Sequence, residues 1–234
     1  HLELLRSLES VASSRLHLLV FAHGFVLRFQ APPLDPRWDV CVIAPAGPGD
    51  LLRQRFEEGR GVPSILAIAQ DGSGQALAKA KAYGAALGSA RAGLFHAAVG
   101  QEVEVDLFGE QTVLCGGMNA LVGAAFHTLV DAGYPPELAY LECVQQLRLT
   151  AELLERLGPE GMRRRISPTA LYGDLSRGPR VIGGEVADAM REVLAEVQDG
   201  RFAREWIEFA AGRPERLAER IAQSVDPALE EAGR

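Results

Sequence analysis

Two patterns of apolar residues divide the chain. Up to about residue 100 they form short, nearly unbroken runs at 18–22, 40–44, 65–69 and 94–99, each bounded by Gly, Pro or Asp. Such runs are the mark of strands covered on both faces, as in parallel sheets. Between the last two, residues 71–87 have an Ala/Lys-rich body that predicts a helix, capped by Asp71 or Ser73. Alternating strands and helix predict part of an α/β sheet.

Beyond residue 100 no run reads as a strand. Glycine and proline instead punctuate helical patterns. A helix over 110–132 ends at Gly133 before Pro135 and Pro136, and another over 137–157 ends at Gly158-Pro159. Further helices are predicted over 169–172, 184–198, 202–211 and 214–222. Short connections of this kind belong to an all-helical domain. The β-rich pattern stops between Gly100 and Asp106, so the predicted domains are 1–100 and 101–234.

Composition narrows the class. With 234 residues, 47% hydrophobic and 24% charged, the chain is long enough to bury a sizeable core. A net charge of −7 argues against broad binding to nucleic acid or an anionic membrane. Cys41, Cys115 and Cys143 are odd in number and far apart, which predicts no disulfide framework or zinc site and fits a reducing cytoplasm. Residues 2–10 do not read as a signal peptide, and no apolar run is read as long enough to span a bilayer.

Acidic residues are the first candidates for chemistry. Asp106 and Glu110 are four apart, so on a helix both carboxylates leave from one face and can share a hard cation. Glu142 and Gln146 repeat the spacing and share a helical face with Leu149 and Leu153, at the edge of a buried stripe. Exposed helices carry such pairs without any metal, so spacing leaves both readings open. His23 follows a strand and reads equally as a loop or core histidine. Two glycine-rich turns, 46–50 and 58–63, lie at strand ends where α/β folds place ligands, or serve simply as tight connections. Neither has the GxGxxG spacing, and there is no Walker-type or GxSxG motif.

The order and wording of the motifs are more specific than any one of them. Phe-Ala-His-Gly-Phe (21–25), Ile-Ala-Pro-Ala-Gly-Pro-Gly (43–49), Glu-Glu-Gly-Arg-Gly-Val-Pro (57–63), Asp-Leu-Phe-Gly-Glu-Gln (106–111) and Leu-Cys-Gly-Gly (114–117) follow one another. Ala-Gly-Tyr-Pro-Pro-Glu (132–137), Ser167 with Tyr-Gly-Asp (172–174), and Gly-Pro-Arg-Val-Ile (178–182) come next. From about Leu18 to Pro214 this succession resembles the short, class I ketol-acid reductoisomerases. The resemblance implies a Rossmann-like part followed by a knotted all-helical domain, and an obligate homodimer that intertwines those helices. It implies NADPH and two Mg²⁺ ions as cofactors. The implied substrate is a 2-acetohydroxy acid, rearranged by an alkyl shift and then reduced, in valine and isoleucine synthesis.

The resemblance also assigns roles. Asp106 and Glu110 would hold metal, Glu142 and Gln146 would reach the metals from the partner subunit, and Glu142 would also serve catalysis. His23 would be the active-site histidine beside the cofactor, and Gly49 would lie along that cofactor. Ser167 would contact substrate, with Ile166 and Ala170 shaping its pocket.

Several positions depart from the pattern. Ala46 stands where the family has a lysine, Asp50 where it has a histidine, Gln146 where it has a second glutamate, and Pro168 where an acidic residue follows the serine. The chain starts near the middle of the family's nucleotide domain, without its glycine fingerprint, which implies weak NADPH binding and a sheet with an open edge. Loss of a lysine that neutralises developing charge lowers rates by orders of magnitude. Together these predict impaired catalysis, with a weakened second Mg²⁺ site. The alternative is a non-catalytic dimeric paralogue that binds a metal or a small acid.

Overall fold

The structure, a computed structural model, describes Leu5, residues 18–213 and residues 215–234. The reading of 2–10 therefore lies, Leu5 apart, outside the described residues. The chain divides into two compact units, His1–Leu107 and Phe108–Arg234.

The first unit is built on a four-stranded sheet in the order β1-β2-β3-β4. The strands are β1 (Leu18–Phe21), β2 (Asp39–Pro45), β3 (Ser64–Asp71) and β4 (Leu94–His96). Its helices are α1 (Phe25–Phe29), α2 (Gly49–Glu57), α3 (Ala76–Ala86) and α4 (Val99–Gly109), the last of which runs past the division. Alternate residues of β2 supply the two halves of the core. Cys41 and Ile43 pack with Leu66 and Ala80, while Val42 and Ala44 pack with Ala67, Leu27 and Val99. Cover on both faces explains why β2 reads as an unbroken apolar run.

The sheet is mixed rather than parallel. β1 pairs with β2 and β3 with β4 in parallel, but β2 and β3 are antiparallel. Pro45 ends β2 opposite Ser64, where β3 begins, so the short helix α2 and its turns return the chain to the edge it left. Two-sided burial fixes the apolar pattern of a strand but not its direction. The predicted strand over 94–99 stops at His96, and α4 starts at Val99.

One buried charge pins the far end of β2. Asp39, fully buried, accepts from the Ser73 amide at 2.9 Å and the Ser73 hydroxyl at 2.7 Å, and pairs with Lys79. Burial alone would raise its carboxyl, but Lys79 and Ser73 outweigh burial and hold it at about 2. Neither predicted cap is the residue that opens α3, whose N-cap is Gln75 without a side-chain cap bond; Asp71 accepts from the Ala76 amide at 2.9 Å and Ser73 Oγ from the Gln75 amide at 3.2 Å.

Among its described residues, the second unit is helical throughout. It contains α5 (Gly116–Asp131), α6 (Pro136–Tyr140), α7 (Gln146–Arg163), α8 (Pro168–Val181), α9 (Gly184–Gln198), α10 (Arg201–Ala210), α11 (Glu215–Ser224) and α12 (Pro227–Ala232). Two π turns, Glu110–Leu114 and Leu141–Gln145, join helices end to end. The Cys115 amide reaches back five residues to the Glu110 carbonyl, and the Gln146 amide to that of Leu141. The predicted stop at Gly158-Pro159 is a break inside α7, where Gly158 has φ +68°. The predicted 169–172 helix is longer and runs through Pro179 to Val181.

Two expectations are corrected here. The helical run Val99–Asp131 is long and apolar enough to cross a membrane by length and composition, and only 6% of its apolar window is buried. The charged residues near its start hid that length in the sequence. The face carrying Glu142, Gln146, Leu149 and Leu153 is also not the edge of a buried stripe: Glu142 and Gln146 are exposed, Leu149 is 53% exposed and Leu153 only half-buried. All three cysteines are free, as predicted.

Candidate functional site

The sharpest group of polar side chains gathers where β1 ends. Phe21 closes β1, His23 follows it, and α4 passes beneath the His23-Gly24 turn. His23 Nε2 lies 3.0 Å from Asp106 Oδ2 and 3.9 Å from Glu102 Oε1. The Gly24 amide donates to Glu102 Oε2 at 2.9 Å. This close approach needs glycine: a Cβ at Gly24 would stand 2.9 Å from Glu102, Val99 and Val103 at once. His23 Nδ1 accepts from the Phe25 amide at 3.2 Å, which fixes the ring's orientation.

Glu102 is fully buried, and its Oε1 has no hydrogen-bond partner. Burial pushes its carboxyl above the ordinary range; His23 and the Gly24 amide oppose that, and the charge on Asp106 adds to it. The three ligand atoms lie within 4.8 Å of one another. Hard and borderline cations fit two carboxylates and an imidazole at this spacing.

Glu102 was not picked out from the sequence. Its signal is the same four-residue spacing, Glu102 to Asp106, that marked Asp106 and Glu110. It was missed because the helix was expected to start at 110, whereas α4 starts at Val99.

The remaining predicted residues stand as follows. Gly49 begins α2, and a Cβ there would meet nothing within 4 Å. Ala46 lies in the preceding turn, its amide bonded to the Pro63 carbonyl at 2.8 Å. In the second unit, Glu110 opens one π turn and Glu142 lies in the other. Gln146 begins α7 and donates its side-chain amide to Glu142 Oε1 at 2.8 Å. Ser167 caps α8, accepting from the Ala170 amide at 3.2 Å, with Ile166 half-buried beside it. Thus the structure brings His23 and Asp106 together in the first unit, and Glu142 and Gln146 together in the second.

Fold and site define a class, an α/β nucleotide-type sheet followed by a helical domain rich in candidate acidic ligands. A putative-oxidoreductase structure from Jannaschia sp. shares that fold alone, at 10% identity, with a TM-score of 0.58 over 84% of this chain and 72% of the other. The chain belongs to the ketol-acid reductoisomerase family. The family's C-terminal domain matches residues 99–234, and the acetohydroxy acid isomeroreductase NADPH-binding domain matches 9–93. A ketol-acid reductoisomerase (NADP(+)) of Saccharopolyspora erythraea is 52% identical over 199 residues, 84% of this chain and 59% of that protein. The structure of an NADH-preferring ketol-acid reductoisomerase from an uncultured archaeon is 40% identical, with a TM-score of 0.87 over 92% of this chain and 65% of that one. The chain therefore spans about three-fifths of the length of the curated relative it matches.

Proposed function

We propose that this chain carries the site of a ketol-acid reductoisomerase whose alkyl-migration step is impaired. Its substrate class is the 2-acetohydroxy acids, its reductant NADPH and its metal Mg²⁺. The observation that carries the reading is the His23, Glu102 and Asp106 group at the carboxyl end of β1, where α/β folds bind ligands. Asp106 and Glu110 would hold Mg²⁺ together with a Glu142 supplied by a second copy of the chain, and the ion when bound stabilises negative charge on neighbouring substrate oxygens. His23, 3.0 Å from Asp106, would position that carboxylate. Ser167 offers a hydroxyl to substrate, although its oxygen already caps α8.

Impairment follows from two positions. Ala46 has no charge to offer to an oxygen on which negative charge grows. Gln146 is neutral, and its amide donates to the Glu142 carboxylate, occupying an oxygen that a metal would otherwise share. A second copy of the chain is the proposed partner, supported by the apolar helix faces that this chain leaves uncovered. The compartment proposed is the cytoplasm.

The test is NADPH oxidation by the purified protein with Mg²⁺, given either 2-acetolactate or its rearranged 2-keto acid. The expected result is reduction of the keto acid, with acetolactate turnover restored about 100-fold or more by A46K combined with Q146E. Acetolactate turnover that the double substitution leaves unchanged would refute impairment. No reduction of either substrate by either protein would favour the non-catalytic paralogue.

A further inference from the structure

We infer that the ion pair between Arg163 and Asp174 positions the substrate-facing serine: it fixes the corner between α7 and α8, and so the direction of the Ser167 hydroxyl. The inference rests on the substrate contact proposed above for Ser167. It adds two positioning residues, which act through Ser167 rather than on the substrate.

The corner is a separate piece of the helical unit. Gly158, with φ +68° and ψ 176°, interrupts α7, and Pro159 follows it. Proline has no amide hydrogen to donate, so regular winding does not carry orientation across the break. A short helical stretch then runs to Arg163, a connection follows over 164–166, and Ser167 is the N-cap of α8.

Among the described residues, one side-chain link joins α7 to α8. Arg163 Nε donates to Asp174 Oδ2 at 2.6 Å, and Nη2 reaches Oδ1 at 3.4 Å. The neighbouring bonds stay on one side of the corner: Arg164 pairs with Glu160, and Ser167 accepts from the Ala170 amide. The bond from Arg163 holds the Asp174 carboxyl below its ordinary range, so the pair is charged at neutral pH.

Exposure and geometry together say what the pair is for. The two side chains are 42% and 31% exposed. Ion pairs this open to water add little to global stability. A planar guanidinium set across both oxygens of a carboxylate instead fixes direction. Helical geometry passes that direction on. Asp174 lies seven residues beyond Ser167, nearly two full turns, so the two leave α8 on about one line. Fastening Asp174 to Arg163 therefore sets which side of α8 faces the corner, and Ser167 stands on that side. The bond from the Ala170 amide to Ser167 Oγ, at 3.2 Å, ties the hydroxyl to the same setting.

Calorimetry of the full chain with Mg²⁺ and the rearranged 2-keto acid of 2-acetolactate tests the pair, in R163Q, D174N, R164Q and S167A. Keto-acid affinity is expected to fall at least about tenfold in R163Q and in D174N, with the urea midpoint and Mg²⁺ affinity unchanged. R164Q breaks a pair that does not cross the corner and is expected to leave keto-acid affinity as it was. The swapped pair, R163D with D174R, should recover most of the loss. On an S167A background R163Q should cost nothing further, because its effect runs through Ser167. Equal affinity in R163Q and parent overturns the inference, as does full additivity of R163Q and S167A. A urea midpoint that falls along with affinity also overturns it, since the pair then serves the fold. Parent protein that binds no keto acid overturns it together with the proposed function, so the parent alone tells the two failures apart.

Discussion

The two units solve the same burial problem differently. The sheet unit closes its own core: Val40, Cys41, Val42 and Ala67 are fully buried between helices on both faces. The helical unit does not. Phe126, Ala139, Val197 and Ala203 are buried, but Leu121, Leu149, Tyr172 and Ile221 stand 45–67% exposed. An apolar surface of that extent on a single chain marks a place where another surface belongs. The comparison teaches that the first unit can be read from its own residues, whereas the second leaves apolar faces that its described residues do not cover.

The strongest way to break the comparison is to charge the uncovered face. L121E with L149E is expected to weaken self-association by at least about 100-fold, the scale of two interface anchors, read by sedimentation across a concentration series. The same profile in parent and variant would place the partner surface elsewhere. Next in size is I43A in the sheet core, expected to cost about 2–5 kcal/mol. Ile43 is 2% exposed within its own unit, so urea midpoints for this loss should not vary with protein concentration. A concentration-dependent loss would show that the sheet also leans on a partner.

The smallest effect lies at Asp39. Lys79→Met should cost about 1–3 kcal/mol at neutral pH by leaving a buried carboxylate oxygen short of its cation. The carboxyl is lowered from an ordinary 3.8 to about 2, so its stabilisation is full above about pH 4 and is lost as pH falls through 2. In K79M the acid-unfolding midpoint should move to higher pH. An unmoved midpoint would mean that Ser73 alone holds the charge.

Much of this architecture was legible before the structure. The four strands were readable because burial on both faces leaves an apolar run that polar positions do not interrupt. The direction of β3 was not, since that same burial is indifferent to it. His23 and Asp106 were legible through their motifs. Glu102 was hidden because residues 100–106 were read as a boundary between domains, with the helix beginning only at 110, whereas α4 starts at Val99. The exposed face of α7 was misread because an apolar stripe along a helix does not by itself say that the same chain buries it.

The two π turns carry a consequence of their own. Both fall where acidic candidates stand, at Glu110 and Glu142. Each turn holds one residue more than an α-helix would place there, and one residue is about 100° of rotation. Deleting a single residue from either segment would restore regular winding and swing everything downstream around the axis by that angle. In these stretches length is information as much as residue identity is, and an alignment gap tolerated in a loop would here re-aim a whole helix.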